Sequence, residues 1–367
     1  MKRDLRDIAA RFAFDAPVAG IESLGAGFIN DTFRIRTAGA GPDYILQRKN
    51  REIFRDVPAM MENIRKVTEH IRRRVEAAGG DPEREAMRIV PTREGALCHT
   101  DDGGEYWTAA QFIEGAKSYD RADTPALARK GGEGIGRFQS QLSDFTEPLT
   151  PTIPGFHDIR HRFAQWDAAL ARDAAGRCGR VRAEIDRIEA RRDEMLRYHR
   201  LTETGEIPVR VTHNDTKISN ILFDDAGEVL CVIDLDTVMN SPALNDFGDA
   251  VRSYANTGAE DDPHTGRVGL SPEMFAAYAE GYLSVRAREL TQAEIDRLAF
   301  SARYITCEQV LRFLMDYIDG DRYYKTAYDE HNLVRARAQY ALLCDMERRY
   351  DDMCATIDRI ARRYRER

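Results

Sequence analysis

Between residues 56 and 78 apolar side chains return every three or four positions. Met60, Ile64, Val67, Ile71 and Val75 fall on one face of a predicted helix, and Gly79-Gly80 stops it. Upstream, residues 18–50 follow another pattern. VAGIESLGAGFINDTFRIRT holds two apolar runs around a Gly-x-Gly, and DYILQRK is a third, so three short strands are expected. Two more apolar runs, near 87–91 and 106–113, flank the turn-like Asp101-Asp102-Gly103-Gly104. Beyond Gly115 helical spacing dominates, over Ala126–Leu142, Phe163–Arg172, Arg182–Arg200, Pro272–Glu289, Ala293–Tyr317 and Asn332–Arg362. The exception is Val209–Val238, where VRVTHND, NILFDD and VLCVIDLD read as short strands joined by turns. There is no internal repeat. The pattern predicts an α+β chain with a small β-rich N-terminal lobe (1–113) holding one main helix, and a larger, mostly helical C-terminal lobe (114–367).

Composition narrows the class without naming the chemistry. The chain has 367 residues, 43% hydrophobic and 32% charged, as expected of a soluble protein with a sizeable core. MKRDLRDIAARF scatters charges among its apolar residues and is no signal peptide, and no stretch approaches the roughly 18 apolar residues of a membrane span. Six dispersed cysteines without a C-x-x-C pair argue against a zinc site and for a reducing cytoplasm. A net charge of −8 disfavours nucleic-acid binding.

The chemistry concentrates in VTHNDTKISNILF. His213-x-Asp215-x-x-x-x-Asn220 has the spacing of a kinase catalytic loop. Asp215 can accept a hydrogen bond and then a proton from a substrate hydroxyl. Asn220 offers magnesium a neutral oxygen, and Lys217 a compact positive charge for phosphoryl oxygens. Asp234 follows Asp215 by 19 positions, at the end of the apolar run VLCVIDL. A strand, a turn at Asp224–Gly227 and a return strand fit that interval, so a hairpin would bring Asp234 beside Asn220 to share one Mg²⁺. The literal Asp246-Phe247-Gly248 lies 31 positions past Asp215 and opens a helical pattern. Asp246 is therefore read as a helix N-cap or a brace for the catalytic loop. Asp236 has three open roles: a second metal, the substrate, or the turn.

HNDTKISNILF, with CVIDLDT and DFGDAVR, resembles the aminoglycoside phosphotransferase and choline kinase superfamily. GAGFINDTF, YILQRKN, FIEG and VIDLDTVM look most like the bacterial N-acetylhexosamine 1-kinases. The resemblance spans about Leu24 to Tyr324 and implies a bilobal, protein-kinase-like fold using ATP and Mg²⁺. It implies Asp215 as base, Asn220 and Asp234 as metal ligands, and the peptide groups of Gln111, Phe112 and Ile113 as an adenine-binding hinge. Gly25 and Gly27 would form the turn over the nucleotide, although Asn30 stands where a third glycine is expected and a plain hairpin turn is the alternative. Asn30 and Asp31 are candidates to point towards the sugar or the phosphates. Arg48 aligns with the usual phosphate-contacting lysine, with Lys49 on the opposite face and Glu62 as a guessed acidic partner. For the acceptor, similarity to the hexosamine kinases points to Arg312 and Tyr323, with Arg252 and Tyr254 as outside candidates; the alternative is ion pairs and packed tyrosines.

The leading expectation is transfer of the ATP γ-phosphate to the anomeric hydroxyl of an N-acetylhexosamine, a small-molecule sugar. One competitor is a cationic or amino-acid acceptor (aminoglycoside, choline or homoserine), with Glu260-Asp261-Asp262 as a conceivable acidic pocket. The other is a non-catalytic nucleotide-binding pseudokinase.

Overall fold

A computed structural model describes residues 4–26 and 30–366. The fold is mixed α+β, with a β-sheet N-terminal region and a larger helical C-terminal region. The chain forms two compact units. The first comprises Met1–Ser118, Gln141–Pro154 and Asn220–Met239, and the second Tyr119–Ser140, Gly155–Ser219 and Asn240–Arg367.

The first unit is built on an antiparallel sheet. Its strands are β1 (Val18–Ala26), β2 (Asp31–Thr37), β3 (Tyr44–Lys49), β4 (Ile89–Val90), β5 (His99–Thr100) and β6 (Tyr106–Gln111). Their order is β1-β2-β3-β6-β4, with β5 also paired to β6. Alternate residues reach one face, where Ile35, Tyr44, Leu46, Trp107 and Ala109 pack with Ile8 and Phe12 into a core. The predicted helix runs over Val57–Ala77, with the Asp56 carboxylate capping Ala59 N–H, and buries all five predicted apolar residues. Burial of each such side chain contributes about 1.5–3 kcal/mol. Asn63 on that helix ties in the 141–154 segment, donating to Thr150 O and accepting from Thr150 N. The interval between Asn220 and Asp234 folds as the expected hairpin, Ile221–Phe223 pairing antiparallel with Val229–Val232.

The second unit surrounds the Leu298–Ile318 helix, which is buried on nearly every side. Its apolar and small residues run all the way round, as a central core helix requires. Three predicted helices are broken in two. Arg182–Arg200 becomes Arg182–Glu189 and Arg192–Glu203. Arg191 leaves the helical path there and forks onto Glu347, 2.7 Å from each carboxylate oxygen. Ala293–Tyr317 divides after a Thr291–Glu294 capping box, and Asn332–Arg362 divides at Arg349. Spacing alone runs through such breaks because the apolar period resumes in phase.

Glycines let helices of this unit touch backbone to backbone. A Cβ on Gly132 would stand 2.2 Å from Tyr278 O, and one on Gly281 1.9 Å from Arg129 O. Among the described residues, no helix is long and apolar enough to cross a membrane.

Gly281→Ala should therefore lower stability by roughly 1–3 kcal/mol or more, since backbone cannot swing aside as a side chain can. Gly179→Ala, where nothing lies within 4 Å of the added Cβ, should leave the melting temperature nearly unchanged. Thermal unfolding followed by circular dichroism compares the two.

Candidate functional site

The catalytic-loop residues belong to the second unit. Strand Val209–Thr212 delivers the chain to His213, which is fully buried with its ring edge-on to Phe138. His213 Nδ1 accepts the Asp215 N–H at 3.2 Å. Asn214 then takes a left-handed conformation, φ 65°, an uncommon geometry that Asn tolerates better than most residues. The turn is held from the Ala243–Tyr254 helix. Asp246 accepts from His213 N at 3.0 Å, Asn214 N at 2.7 Å and Gln139 Nε2 at 2.8 Å. One turn later, Asp249 accepts Thr216 N at 2.9 Å and is paired with Arg252 at 3.0 Å. Burial pushes the Asp246 carboxyl up, against the pull of His213 and of these donors. Burial also raises Asp249, but Arg252, His157 and Thr216 outweigh it and leave its carboxyl lowered. At the loop itself Asp215 is half-buried and ion-paired with Lys217 at 2.9 Å.

The Asp-Phe-Gly tripeptide is thus structural at all three positions. Of the two readings for Asp246, the brace is the one found, because the N-cap position of its helix is Pro242. Phe247 is packed among Phe275, Tyr278 and Tyr282, and a Cβ on Gly248 would meet Ser301 O at 2.3 Å.

The predicted metal ligands belong to the first unit, at one end of the hairpin. Ile233 N–H donates to Asn220 O at 2.9 Å, so the two strands are bonded next to Asn220 and Asp234. Asp234 is left-handed, φ 61° and ψ 54°, where the chain turns out of the hairpin. Two residues on, Asp236 is buried and accepts from Lys49 Nζ at 2.7 and 2.8 Å and from Asn30 Nδ2 at 2.8 Å. Asn30 Oδ1 also accepts the Asn50 N–H. The Asp236 carboxylate is therefore not a cap of the turn: it anchors a buried lysine.

That lysine revises the reading of β3. Adjacent strand residues face opposite ways. Lys49 is 2% exposed and directed to the hairpin, whereas Arg48 is partly exposed and held by Asp31 and Glu105. Glu62, guessed as the partner of Arg48, pairs with Arg65 on its own helix instead. Gly25 lies in β1 where its register with β2 shifts, and Gly27 falls outside the described residues. Of the three hinge residues, Gln111 donates its N–H to Arg88 O and Phe112 to Asp43 O, so both amides are engaged within the sheet unit. The Ile113 side chain is buried.

A third group, in the second unit, gathers the acceptor candidates. The Arg312 guanidinium lies 5.6 Å from the Phe156 ring centre, 5.9 Å from Tyr323 and 5.6 Å from Tyr324. Tyr323 is 51% exposed, open to a ligand. Asp316 fixes the loop that carries both tyrosines, accepting the N–H groups of Arg322, Tyr323 and Tyr324 and one from Asn332. One turn before Arg312, Glu308 is buried between His157 at 2.8 Å and Arg162 at 3.1 Å. Burial raises its carboxyl, but His157, Arg162 and Arg312 outweigh that and hold it well below the ordinary value. The outside candidates stand apart from this group. Arg252 bridges Asp249 and Glu260, and Tyr254 is buried against Tyr278 and Gly131.

Sequence reasoning named Lys49 beside Arg48 without its pairing to Asp236, and missed the bracing contact of Asp249, although Asp249 follows Asp246 by one helical turn and so shares its face. Phe156, His157, Glu308 and Tyr324 carried no local signal, because their partners are distant in the chain. Among the described residues no three His, Cys, Asp or Glu side chains form a metal cluster.

Comparison with known proteins gives the family and the fold. The family described as "APH: Phosphotransferase enzyme family" matches residues 20–293. The structure of the microcompartment-associated aminopropanol kinase aligns with a TM-score of 0.64 at 18% identity, covering 95% of this chain and 97% of that one. An aminoglycoside phosphotransferase from Alicyclobacillus acidocaldarius aligns at 0.60 and 14% identity, covering 99% and 98%. Spectinomycin phosphotransferase, solved with ADP and spectinomycin, aligns at 0.50 and 15% identity, covering 93% and 100%. At such identities the likeness is one of fold.

Two measurements probe the buried charges. Lys49→Met leaves Asp236 charged without its partner and should cost about 3–5 kcal/mol, of which Lys49→Met/Asp236→Leu recovers a large part; urea unfolding gives both values. Glu308 has a lowered folded pKa against a reference of 4.5, so its contribution is complete above 4.5 and is lost as pH falls through the folded value. The stability gap between the unaltered chain and Glu308→Gln should accordingly hold its full value above about pH 4.5 and shrink steadily below it.

Proposed function

Because the chain belongs to the APH phosphotransferase family, we propose that it is an ATP-dependent kinase whose acceptor is a neutral sugar. Our specific reading is the anomeric hydroxyl of an N-acetylhexosamine, giving the sugar 1-phosphate. The observation that carries the choice of acceptor is the charge of the Arg312 cluster. Three aromatic rings and a guanidinium suit a sugar, whose apolar ring face stacks and whose hydroxyl and amide oxygens accept hydrogen bonds. An amine would need free carboxylates. Glu308 is held by His157 and Arg162, and Asp316 by four N–H groups. In the acidic run 260–262, Glu260 pairs with Arg252, Asp261 with His331, and Asp262 accepts His264 N–H.

In this reading the unit containing the sheet takes the nucleotide and the helical unit the acceptor. Asp215 accepts the hydrogen bond of the sugar hydroxyl, aligns its oxygen for attack and takes its proton. Lys217 supplies positive charge beside that carboxylate for phosphoryl oxygens. Asn220 and Asp234 would hold magnesium. Both are hard oxygen donors, and the small donor set suits an ion that keeps waters and phosphate oxygens as its other ligands. Bound ATP and magnesium supply the phosphoryl group and neutralise its charge. Lys49, anchored on Asp236 beside the metal hairpin, is a better candidate than Arg48 for phosphate contact.

An amino-alcohol acceptor, as named for the aminopropanol kinase, is the alternative within the family. A non-catalytic nucleotide binder is disfavoured by the presence of Asp215, Asn220 and Asp234 together.

ADP release over a panel of free hexoses, N-acetylhexosamines, choline, aminopropanol and kanamycin should rise with the N-acetylhexosamines and stay at background with the amines. The reverse ranking would refute the sugar reading. Asp215→Asn should lower turnover by at least about 10²-fold with nucleotide affinity nearly intact, and retained turnover would remove the base from this role.

A further inference from the structure

Behind the turn that aims Asp215 lies a histidine that the chemistry above leaves without a task. His157 is 7% exposed and left-handed, φ 55°. Its ring lies between two oxygens, with Nδ1 2.8 Å from Glu308 Oε2 and Nε2 3.3 Å from the main-chain oxygen of Asn214. A carbonyl oxygen can only accept, and so can the ionised Glu308 carboxylate. A ring nitrogen that carries a proton can donate to the oxygen it faces.

The contact falls at a sensitive peptide. Asn214 is itself left-handed and immediately precedes Asp215. Its N–H is fixed by Asp246 on one side, and its carbonyl faces His157 on the other. His157 is in turn gripped twice by the Leu298–Ile318 helix. Glu308 holds the ring, and Tyr304 Oη donates to the His157 carbonyl at 3.1 Å. The same helix carries Arg312, one turn beyond Glu308. Phe156, the residue before His157, lies 4.4 Å from the imidazole and under the Arg312 guanidinium. A short chain of contacts therefore joins the acceptor cluster to the peptide in front of Asp215.

We propose that His157 is a positioning residue: it orients the Asn214–Asp215 peptide and couples that orientation to the Phe156–Arg312 cluster. The proposal rests on the phosphotransfer reading for its kinetic consequence. Removing the ring takes the imidazole contact from the Asn214 carbonyl, and a left-handed asparagine with one anchor gone relaxes towards commoner backbone angles. Asp215 then loses its aim, while the nucleotide-contacting residues of the other unit are untouched.

The test uses the full chain with His157→Ala and His157→Gln, the second retaining one N–H donor in case the first fails to fold. At saturating Mg·ATP, His157→Ala should lower kcat for the N-acetylhexosamine roughly 10–100-fold, with KM for ATP within about twofold; His157→Gln should fall between it and the unaltered chain. In an Asp215→Asn background, His157→Ala should add no more than about a twofold loss, because the group it aims is gone. A full additional loss there marks a merely structural role and overturns the proposal, as does an unchanged kcat in the single variant. Hydrogen–deuterium exchange supplies an arm that needs no acceptor. Amides of 213–217 should exchange faster in His157→Ala while those of 298–318 keep their protection, and equal protection of 213–217 would overturn the proposal. If the unaltered chain transfers phosphate to no acceptor, the phosphotransfer reading fails, and the exchange measurement alone decides whether His157 holds the turn.

Discussion

The helical unit depends on two carboxylates, Asp246 and Asp249, that hold a buried turn by its N–H groups. His213, Asn214 and Thr216 are buried main-chain donors with no place in a helix or sheet. Left without acceptors, each would cost about 1–3 kcal/mol. One turn of one helix supplies the acceptors for all three. That helix has little freedom, since Phe247 is enclosed by three aromatic rings and Gly248 presses against the backbone of the Leu298–Ile318 helix. The core of the unit is in this way transmitted to the orientation of a single half-buried carboxylate, Asp215.

Left-handed backbone occurs at the same places, as it does at Asp173, Asp321 and Glu330 elsewhere. Asn214, Asp234 and His157 are all non-glycine residues with positive φ, next to or at the residues given chemical roles. Each such conformation costs of order 1–3 kcal/mol and persists only where its surroundings over-determine it. The surroundings here are identifiable: Asp246 for Asn214, Glu308 and Tyr304 for His157, and for Asp234 the hairpin bonded at Asn220 together with Asp236 anchored on Lys49. The boundary between the two units falls between Ser219 and Asn220, so along the chain the loop with the proposed base ends where the hairpin with the proposed metal ligands begins.

Much of this was legible in the sequence wherever partners are close along the chain. The helix over Val57–Ala77 follows from a 3.6-residue period, and the hairpin from two apolar runs with a turn between them. Spacing from Asp215 also separated Asp234 from the conspicuous Asp-Phe-Gly. What the sequence hid are pairings across long intervals. Lys49 meets Asp236 across 187 positions and His157 meets Glu308 across 151, and no periodicity encodes either. The choice between Arg48 and Lys49 on β3 was open in the sequence for a related reason. Arg48 and Lys49 are neighbours on opposite faces, and only the packing decides which face is buried. Breaks within the long helices were invisible because the apolar phase continues through them.

The two units also handle buried charge in opposite ways, and that bears on what each can bind. In the first, Lys49 and Asp236 neutralise each other as a closed pair. In the second, one carboxylate, Glu308, is shared by His157 and Arg162, and Arg312 lowers it further from one turn away. The Glu308 carboxylate is thereby already engaged by its own neighbours. The aromatic faces of Phe156, Tyr323 and Tyr324 stabilise a cation already in place, and in the proposed reading an incoming ammonium would meet that guanidinium first. Discrimination of this kind needs no special contact to the favoured ligand. Under the proposed acceptor reading, a neutral polyol incurs no repulsion there, whereas an amine would either do without a counter-charge or break an existing ion pair to obtain one.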